Sequence, residues 1–303
     1  MFYSIFRGGS MYIVVGANGF LGSYVIKSLV SSTDEKIIAT YHNKPESLYS
    51  PRVDWVKLDV TDKESILNLK RLVKNTAECR IFYFAACHNL DLVKREPAYA
   101  ESINITALGN FLEVFSDAES LWFSSTDCVY GENTDEHPSF KESDPACPVS
   151  EYGRQKLRAE KIVTDYGFNA ARLPFMVGAS LLENKKHFYD RIIEETMQGQ
   201  DITLADGLWR SALSYESVAD IFVRLSSMKN VPQVLNLCGD DNLSKYDVGM
   251  LIAKAHNLPT EHIIKTPEAE IMKIFDERRT SSTAMDNSLL RAVLGVDEIK
   301  ISI

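Results

Sequence analysis

Residues 11–22 read Met-Tyr-Ile-Val-Val-Gly-Ala-Asn-Gly-Phe-Leu-Gly, an apolar run that leads directly into a turn with three glycines. The run Met11–Val15 is predicted to be a strand, and the apolar positions from 20 to 29 recur at helical spacing. Glycines between a strand and a helix permit a tight turn and a close approach of the backbone to a pyrophosphate. Glycines at this spacing also serve ordinary turns, but this placement favours a dinucleotide. The predicted contacts are Gly16, Asn18, Gly19, Phe20, Leu21 and Gly22.

Short apolar runs alternate with amphipathic stretches through the first half of the chain. Strands that alternate with helices pair in parallel through right-handed crossovers. The predicted fold class is therefore α/β, a doubly wound parallel sheet. We predict its strands over residues 11–15, 37–41, 55–58, 81–85, 121–124 and 170–173.

The pattern changes after Pro174. We predict two further helices, a loop through Asp206 and Gly207, one strand, and a helical, polar segment over residues 244–303. The two helices span 189–198 and 216–228, and the strand spans 234–237. Residues 1–10 precede a second methionine and are predicted to be a disordered extension. The remaining divisions are a dinucleotide-binding domain, 11–174 with 203–237 contributing, and a smaller C-terminal substrate-binding lobe, 175–202 and 238–303.

The composition excludes several classes of partner. A net charge of -9 argues against nucleic acid, which requires a basic face. The densest basic pairs, Lys185-Lys186 and Arg278-Arg279, are isolated, and we interpret the lysines as solvated helix surface or local ion pairs. The five cysteines lack metal spacing and indicate buried thiols in a reducing, cytoplasmic compartment. No metal site and no membrane span are predicted.

The end of the second predicted strand bears on the choice of dinucleotide. NAD binding usually places a carboxylate here, whereas a basic group accommodates the phosphate of NADP. This chain offers Tyr41, His42 and Lys44 and no acid, so we predict NADP, with NAD as the alternative. After the third strand, Asp59 with Val60 is predicted to reach the adenine. A helix cap formed by Asp59 with its neighbours is an equally good interpretation.

Tyr152 and Lys156 lie four residues apart in a predicted helix, so their side chains share one face. A phenol titrates near pH ~10, and a neighbouring cation favours its ionised form. The pair is typical of an acid/base device, although Tyr152 by itself fits an ordinary residue at a helix start capped by Ser150.

With these motifs, residues 11–303 resemble the extended short-chain dehydrogenase/reductase superfamily, especially its sugar-nucleotide epimerases, dehydratases and 4-keto reductases. The matching features fall in family order. They are the glycine turn, Ala85-Ala86, Pro97 with Tyr99 and Asn104, the strand end at residues 123–131, the Tyr152/Lys156 pair and residues 172–178.

The resemblance implies a Rossmann fold and a role for each matching position. Tyr152 would be the general acid/base, Lys156 would hold the nicotinamide ribose and lower the tyrosine pKa, and Thr126 would position the substrate oxygen. The remaining implied contacts are Ala85, Ala86, Leu173 and Phe175 for the cofactor and Cys87, Asp127 and Arg210 for the substrate.

Differences from the patterns of individual subfamilies indicate the class of substrate. Dehydratases of this superfamily carry Asp-Glu after the threonine, whereas this chain has Asp127-Cys128, which disfavours dehydration. Residues 278–286 look like the C-terminal pattern of dTDP-4-dehydrorhamnose reductases, although Arg279 stands where that family has proline and Phe20 where it has glutamine.

We therefore expect an NADP-dependent reductase of a 4-keto sugar nucleotide. The alternatives are an NAD-dependent epimerase and a non-catalytic, dinucleotide-binding regulatory subunit. Relatives often dimerise through a four-helix bundle, so a homodimer through residues 103–115 and 152–166 is predicted.

Overall fold

A computed structural model of the protein describes residues 10–43, 50–183 and 185–303. Its centre is a seven-stranded sheet in the order β10-β6-β5-β4-β1-β2-β3, with all neighbouring strands parallel. The predicted doubly wound parallel sheet is confirmed. Its strands are β1 (Met11–Val15), β2 (Lys36–Tyr41), β3 (Val53–Lys57), β4 (Cys79–Tyr83), β5 (Ser120–Thr126), β6 (Asn169–Leu173) and β10 (Val234–Asn236).

Helices cover both faces of this sheet, and each packs its apolar side chains against the strands. Helices α1 (Phe20–Ser32) and α8 (Tyr215–Ser226) pack on one face. On the other face, Ile66, Phe111 and Val163 join a second apolar cluster. These residues belong to helices α2 (Lys63–Leu72), α5 (Leu108–Val114) and α6 (Glu151–Asp165). The shorter helices α3 (Leu90–Arg95) and α4 (Pro97–Glu101) lead into α5 through a π-helical turn, Ser102–Ala107.

A separate apolar cluster lies beyond the central sheet. It includes Ile192, Leu204, Val248 and Ile263. The elements that build it are α7 (Phe188–Met197), β8 (Ile202–Asp206), α9 (Lys245–Ala255) and β12 (Ile263–Pro267). β8 pairs with β12 rather than with the central sheet, whereas β10 extends the central sheet beside β6. The division of the chain into two lobes stays a prediction.

The expectation of a helical segment over residues 244–303 is wrong in part. Only α9, α10 (Glu268–Ile271) and α11 (Ser288–Leu294) are α-helical there, and β12 and β13 (Ser282–Thr283) are strands. The strands β7 (Phe175–Val177), β9 (Trp209–Ser214) and β11 (Asn242–Leu243) are also absent from the prediction. These strands pair with partners far away in sequence, such as Ile263 with Ile202. A single sequence carries no local signal for such pairing.

Within the described part of the chain, no helix combines the length and apolar content that a bilayer crossing requires. The predicted extension over residues 1–10 falls almost wholly outside the described residues, since description begins at Ser10.

Candidate active site

The strand order reverses between β1 and β4, and in open α/β sheets a ligand binds outside the carboxyl ends of the strands at such a point. The glycine turn follows the carboxyl end of β1. Gly16 has a positive φ of 84°, and a Cβ at this position would lie 3.0 Å from the amide nitrogen of Ala85. The amide of Ala17 donates to the carbonyl of Thr40 at 3.1 Å. The turn is therefore held closely between the ends of β4 and β2, and only glycine fits at its start.

Helix α1 begins at the end of this turn and suits an anion. Its first turn contains no acidic residue, and its N-cap is Gly19, which has no side chain to occupy the first amides of the helix. The amides at a helix N-terminus attract a phosphate group, and small residues let it approach. The residues present therefore fit the pyrophosphate of a dinucleotide.

We predict that Gly22→Ala will damage this turn. Its Cβ would lie 2.7 Å from the Cα of Ala17 and closer still to the carbonyl oxygen of Gly16. The backbone must move, so we expect a stability loss of about 1–3 kcal/mol and weaker dinucleotide binding. Chemical denaturation and cofactor titration measure both.

Gly109→Ala is the matched control, because a Cβ there meets no atom within 4 Å in the described structure. Alanine within helix α5 should stabilise the protein by up to about 1 kcal/mol. Equal effects of the two substitutions would contradict the proposed role of the glycine turn.

The end of β2 gives a mixed electrostatic environment. His42 Nε2 lies 3.6 Å from the Asp59 carboxylate, and both side chains are largely exposed. Two hydrogen bonds from Thr61, with His42 adding to them, hold the pKa of Asp59 below its usual range. The cap of α2 is Asp62, whose side chain accepts from the amide of Glu64. Tyr41 lies beside Trp55, and Lys44 falls outside the described residues.

Tyr152 and Lys156 lie in the first turns of α6, which Ser150 caps by accepting from the amide of Gly153. Both side chains are buried, and the Lys156 ammonium lies 5.9 Å from the centre of the Tyr152 ring. The ammonium donates to the carbonyl of Ser124 at 2.6 Å. Adjacent helical turns thus bring the phenol and the cation to one face, directly against the end of β5.

Burial dominates the proton equilibria of this pair. Burial raises the pKa of Tyr152 well above its ordinary value, and the neighbouring Cys128 and Asp127 raise it further. Burial also lowers the pKa of Lys156 to about 7, against a smaller opposing effect of Glu160. The expectation that Lys156 lowers the pKa of Tyr152 is therefore not met in this structure, because removal of both groups from water favours their neutral forms.

The lowered pKa of Lys156 makes its contribution to stability depend on pH. Between its folded pKa of about 7 and its unfolded value of ~10.4, the unfolded chain holds a proton that the folded chain has released. Stability therefore rises with pH across this window, and the cost of burying the charge is fully present below it.

We expect the difference in unfolding free energy between Lys156→Met and the parent chain to fall by about 2–3 kcal/mol from pH ~6 to pH ~9. Urea denaturation of cofactor-free protein at each pH measures it. Lys161→Met removes an exposed lysine of the same helix and serves as the control. A constant difference for Lys156→Met would refute the assignment.

Thr126 and Asp127 lie at the carboxyl end of β5. The Thr126 hydroxyl donates to the Asp127 carboxylate at 3.0 Å and accepts from the amide of Cys128. Asp127 is buried, accepts from the Thr283 hydroxyl at 3.0 Å and lies 3.4 Å from the Arg210 Nε. The fold thus brings predicted substrate residues from β5 and β9 into one cluster, although they are far apart in the chain.

A buried ion pair joins α6 to β6. Arg172 of β6 donates to Glu160 at 2.8 Å, and their side chains are 6% and 4% exposed. Glu160 also accepts from Ser125, and Arg172 donates to the Tyr130 hydroxyl at 2.6 Å. Because Glu160 lies one turn beyond Lys156, this network fixes the face of α6 that carries Tyr152 and Lys156.

The sequence analysis missed a basic group beside Arg210. Arg279 lies 3.3 Å from Asp91, and within the described structure its Nε is buried with no hydrogen-bond partner. Loss of water, together with the charges of Arg279 and Arg210, lowers the pKa of Lys245 at the start of α9. Arg279 belongs to the quoted segment 278–286, but nothing in a single sequence shows that it meets Arg210 and Lys245.

The other predicted contacts lie at or just after the carboxyl ends of the central strands. Cys87 packs with Tyr152. The backbone amide of Cys87 donates to the side-chain oxygen of the buried Asn104 at 2.9 Å. Leu173 ends β6, and Phe175 lies 5.9 Å from the ring of Phe188. Ala85 and Ala86 follow β4, and Val60 follows β3. Within the described residues, no cluster of three or more His, Cys, Asp and Glu side chains has the arrangement of a metal site.

The profile of the NAD dependent epimerase/dehydratase family matches residues 12–238, three quarters of the chain. The chain belongs to this family. The resemblance to the extended dehydrogenase/reductase superfamily is thereby confirmed, as is the expectation that the chain is an enzyme.

The relatives of this chain include different kinds of protein. A probable low-salt glycan biosynthesis reductase, Agl14, of Haloferax volcanii is 33% identical over 171 residues, 55% of this chain. The match spans about half the length of that relative, 53%. Methionine adenosyltransferase 2 subunit beta of Mus musculus is 24% identical over 296 residues, 94% of this chain and 83% of that protein.

Among solved structures, a dTDP-4-dehydrorhamnose reductase from Clostridium acetobutylicum superposes with a TM-score of 0.76 at 18% identity, covering 96% of this chain and 95% of that one. At this identity, the likeness shows the fold alone.

Proposed function

We propose that this family member reduces the keto group of a 4-keto sugar nucleotide with a nicotinamide dinucleotide, NADP by preference. The observation that carries the proposal is the position of Thr126, Tyr152 and Lys156 near a basic cluster that contains, among the described residues, a guanidinium nitrogen without a hydrogen-bond partner. The dinucleotide would supply a hydride to the carbonyl carbon. The chain would supply the proton and the hydrogen bonds to the oxygen.

The roles follow from the chemistry of each group. The Tyr152 hydroxyl would donate to the carbonyl oxygen, and the Thr126 hydroxyl would do so by turning its one proton from Asp127 to the substrate. Tyr152 would then transfer its proton to the alkoxide that forms. A phenol with a raised pKa is protonated at neutral pH, which suits a proton donor. Lys156 would hydrogen-bond the ribose of the dinucleotide and orient it toward the substrate.

The basic cluster suits the diphosphate of a sugar nucleotide. Asp127 partly offsets the charge of Arg210 at 3.4 Å, while the Nε of Arg279 has a free donor within the described structure. Guanidinium groups bind phosphate oxygens through paired hydrogen bonds. A substrate with a diphosphate at this cluster would bring its sugar toward Tyr152.

Dehydration of the sugar is disfavoured. Burial and the adjacent Asp127 raise the pKa of Cys128 to about 12, so this thiol stays neutral and cannot act as a base near pH 7. The match to the reductase of Haloferax volcanii agrees with a reductase.

An epimerase is the second candidate, because the family profile includes epimerases. A regulatory subunit would agree with the match to methionine adenosyltransferase 2 subunit beta. The presence of Thr126, Tyr152 and Lys156 in one site argues against that alternative. Preference for NADP, a cytoplasmic location and a homodimer stay predictions.

The deciding experiment incubates purified protein with NADPH or NADH and a panel of UDP- and dTDP-linked 4-keto sugars. We expect stoichiometric oxidation of the dinucleotide with at least one ketone. Interconversion of sugar epimers without net oxidation, with dinucleotide retained through purification, would replace the reductase with an epimerase. No conversion of any ketone or sugar nucleotide would refute both.

A further inference from the structure

The described residues between β7 and α7 contact the start of α1 and the turn before it. We call this loop the strap and define it as residues 180–183 and 185–187. Both of its ends are bound to one carboxylate, since the amides of Ser180 and His187 donate to Asp190 at 3.0 and 2.7 Å. Two hydrogen bonds to one side chain close the base of the loop. These bonds hold the two ends of the strap together.

Aromatic contacts hold the base of the strap against the first turn of α1, next to the glycine turn. The His187 ring meets the Phe20 ring edge-on at 4.8 Å, and its Nε2 lies 3.1 Å from the Tyr215 hydroxyl. The Tyr24 hydroxyl donates to the carbonyl of Ala179, just before the strap, at 2.8 Å. Phe20 is the first residue of α1, so these contacts hold the strap against the end of the helix that faces an anion.

Lys185 is an exposed residue of the strap that contacts the glycine turn. Its ammonium donates to the carbonyl of Asn18 in the glycine turn at 3.1 Å. Its charge also reaches His88 after β4, where it adds to partial burial and to the charge of Lys156 in lowering the histidine pKa. The ammonium thus lies near both the glycine turn and the segment after β4. The interpretation of this lysine as helix surface is wrong, because it lies in a loop.

We propose that Lys185 is a dinucleotide-binding residue, whose ammonium binds the pyrophosphate at the start of α1 and slows release of the cofactor. The proposal depends on dinucleotide binding and not on the identity of the sugar. An ammonium beside the amides of a helix N-terminus adds a second source of positive charge for the same phosphates. Because the strap is tied to Asp190 and Phe20, the lysine is already in position when the dinucleotide arrives, and little of its freedom is lost.

Adjacent lysines provide a matched test. Lys186 pairs with Glu194 at 2.6 Å and is exposed, so Lys186→Met removes the same charge from the same loop. Cofactor-free protein is titrated with NADH, ADP-ribose and adenosine, and release of NADH is followed by stopped-flow fluorescence. We expect Lys185→Met to raise the Kd for NADH and ADP-ribose about tenfold, mainly through faster release. Adenosine, which lacks phosphate, should bind both variants equally.

Equal NADH affinity of the two lysine variants would overturn the proposal, as would an equal loss for adenosine and ADP-ribose. A weaker dependence of the Kd on salt in Lys185→Met than in Lys186→Met would support it, since one fewer charge pair forms. Binding is measured without a sugar. Failure to reduce any ketone would therefore contradict only the proposed function.

Discussion

Tyr152→Phe should reduce kcat for the keto sugar by about 10²–10⁴-fold, because the alkoxide that follows hydride transfer loses its proton donor. The ring is buried beside Cys87 and loses only its hydroxyl, so folding should be preserved. The Kd for NADH should stay close to that of the parent chain, since Lys156 and the glycine turn are intact. Steady-state kinetics with the best ketone from the panel, together with cofactor titration, measure both quantities.

Tyr83→Phe is the matched control. Tyr83 is also fully buried, and within the described structure its hydroxyl has no hydrogen-bond partner. Its loss should leave kcat unchanged and should not destabilise the protein, because no bond is broken. If Tyr152→Phe turned over at the parent rate, Tyr152 would not be the proton donor and the proposed mechanism would be wrong.

Glu160→Gln should destabilise the fold by about 3–5 kcal/mol, because it leaves the buried Arg172 guanidinium without its counter-charge. The two side chains are almost entirely excluded from water and are joined at 2.8 Å. Glutamine keeps the shape of the side chain but supplies no negative charge. Urea unfolding at neutral pH measures the change, and loss of support for the Lys156 face of α6 should weaken dinucleotide binding as well.

An exposed ion pair of the same helix provides the comparison. Arg158 of α6 binds Glu101 at 2.6 Å, but the side chains are 53% and 41% exposed. Glu101→Gln should therefore cost only about 0–1 kcal/mol. Adding Arg172→Met to Glu160→Gln should recover part of the loss, since no unpaired charge remains. Similar costs for Glu160→Gln and Glu101→Gln would show that burial does not govern the pair.

Local patterns predicted the central sheet well. The run Met11–Val15, the glycine turn and the alternation of short apolar strands with amphipathic helices are all periodic features of neighbouring residues. The same holds for Tyr152 and Lys156, because four residues of helix bring them to one face wherever the helix lies. The strands β8 and β12 were missed because each is short and gains its stability only from a partner about sixty residues away.

The sequence by itself determined the parallel α/β fold, the position of the glycine turn and the phenol–ammonium pair, because each depends on contacts within a few turns of the chain. Only the tertiary structure brought Arg210 to Asp127, placed Arg279 near Lys245 and carried Lys185 to Asn18. It also reversed the expected effect on the Tyr152 pKa. Burial is a property of the whole packed fold, and it is the largest cause of both the raised pKa of Tyr152 and the lowered pKa of Lys156.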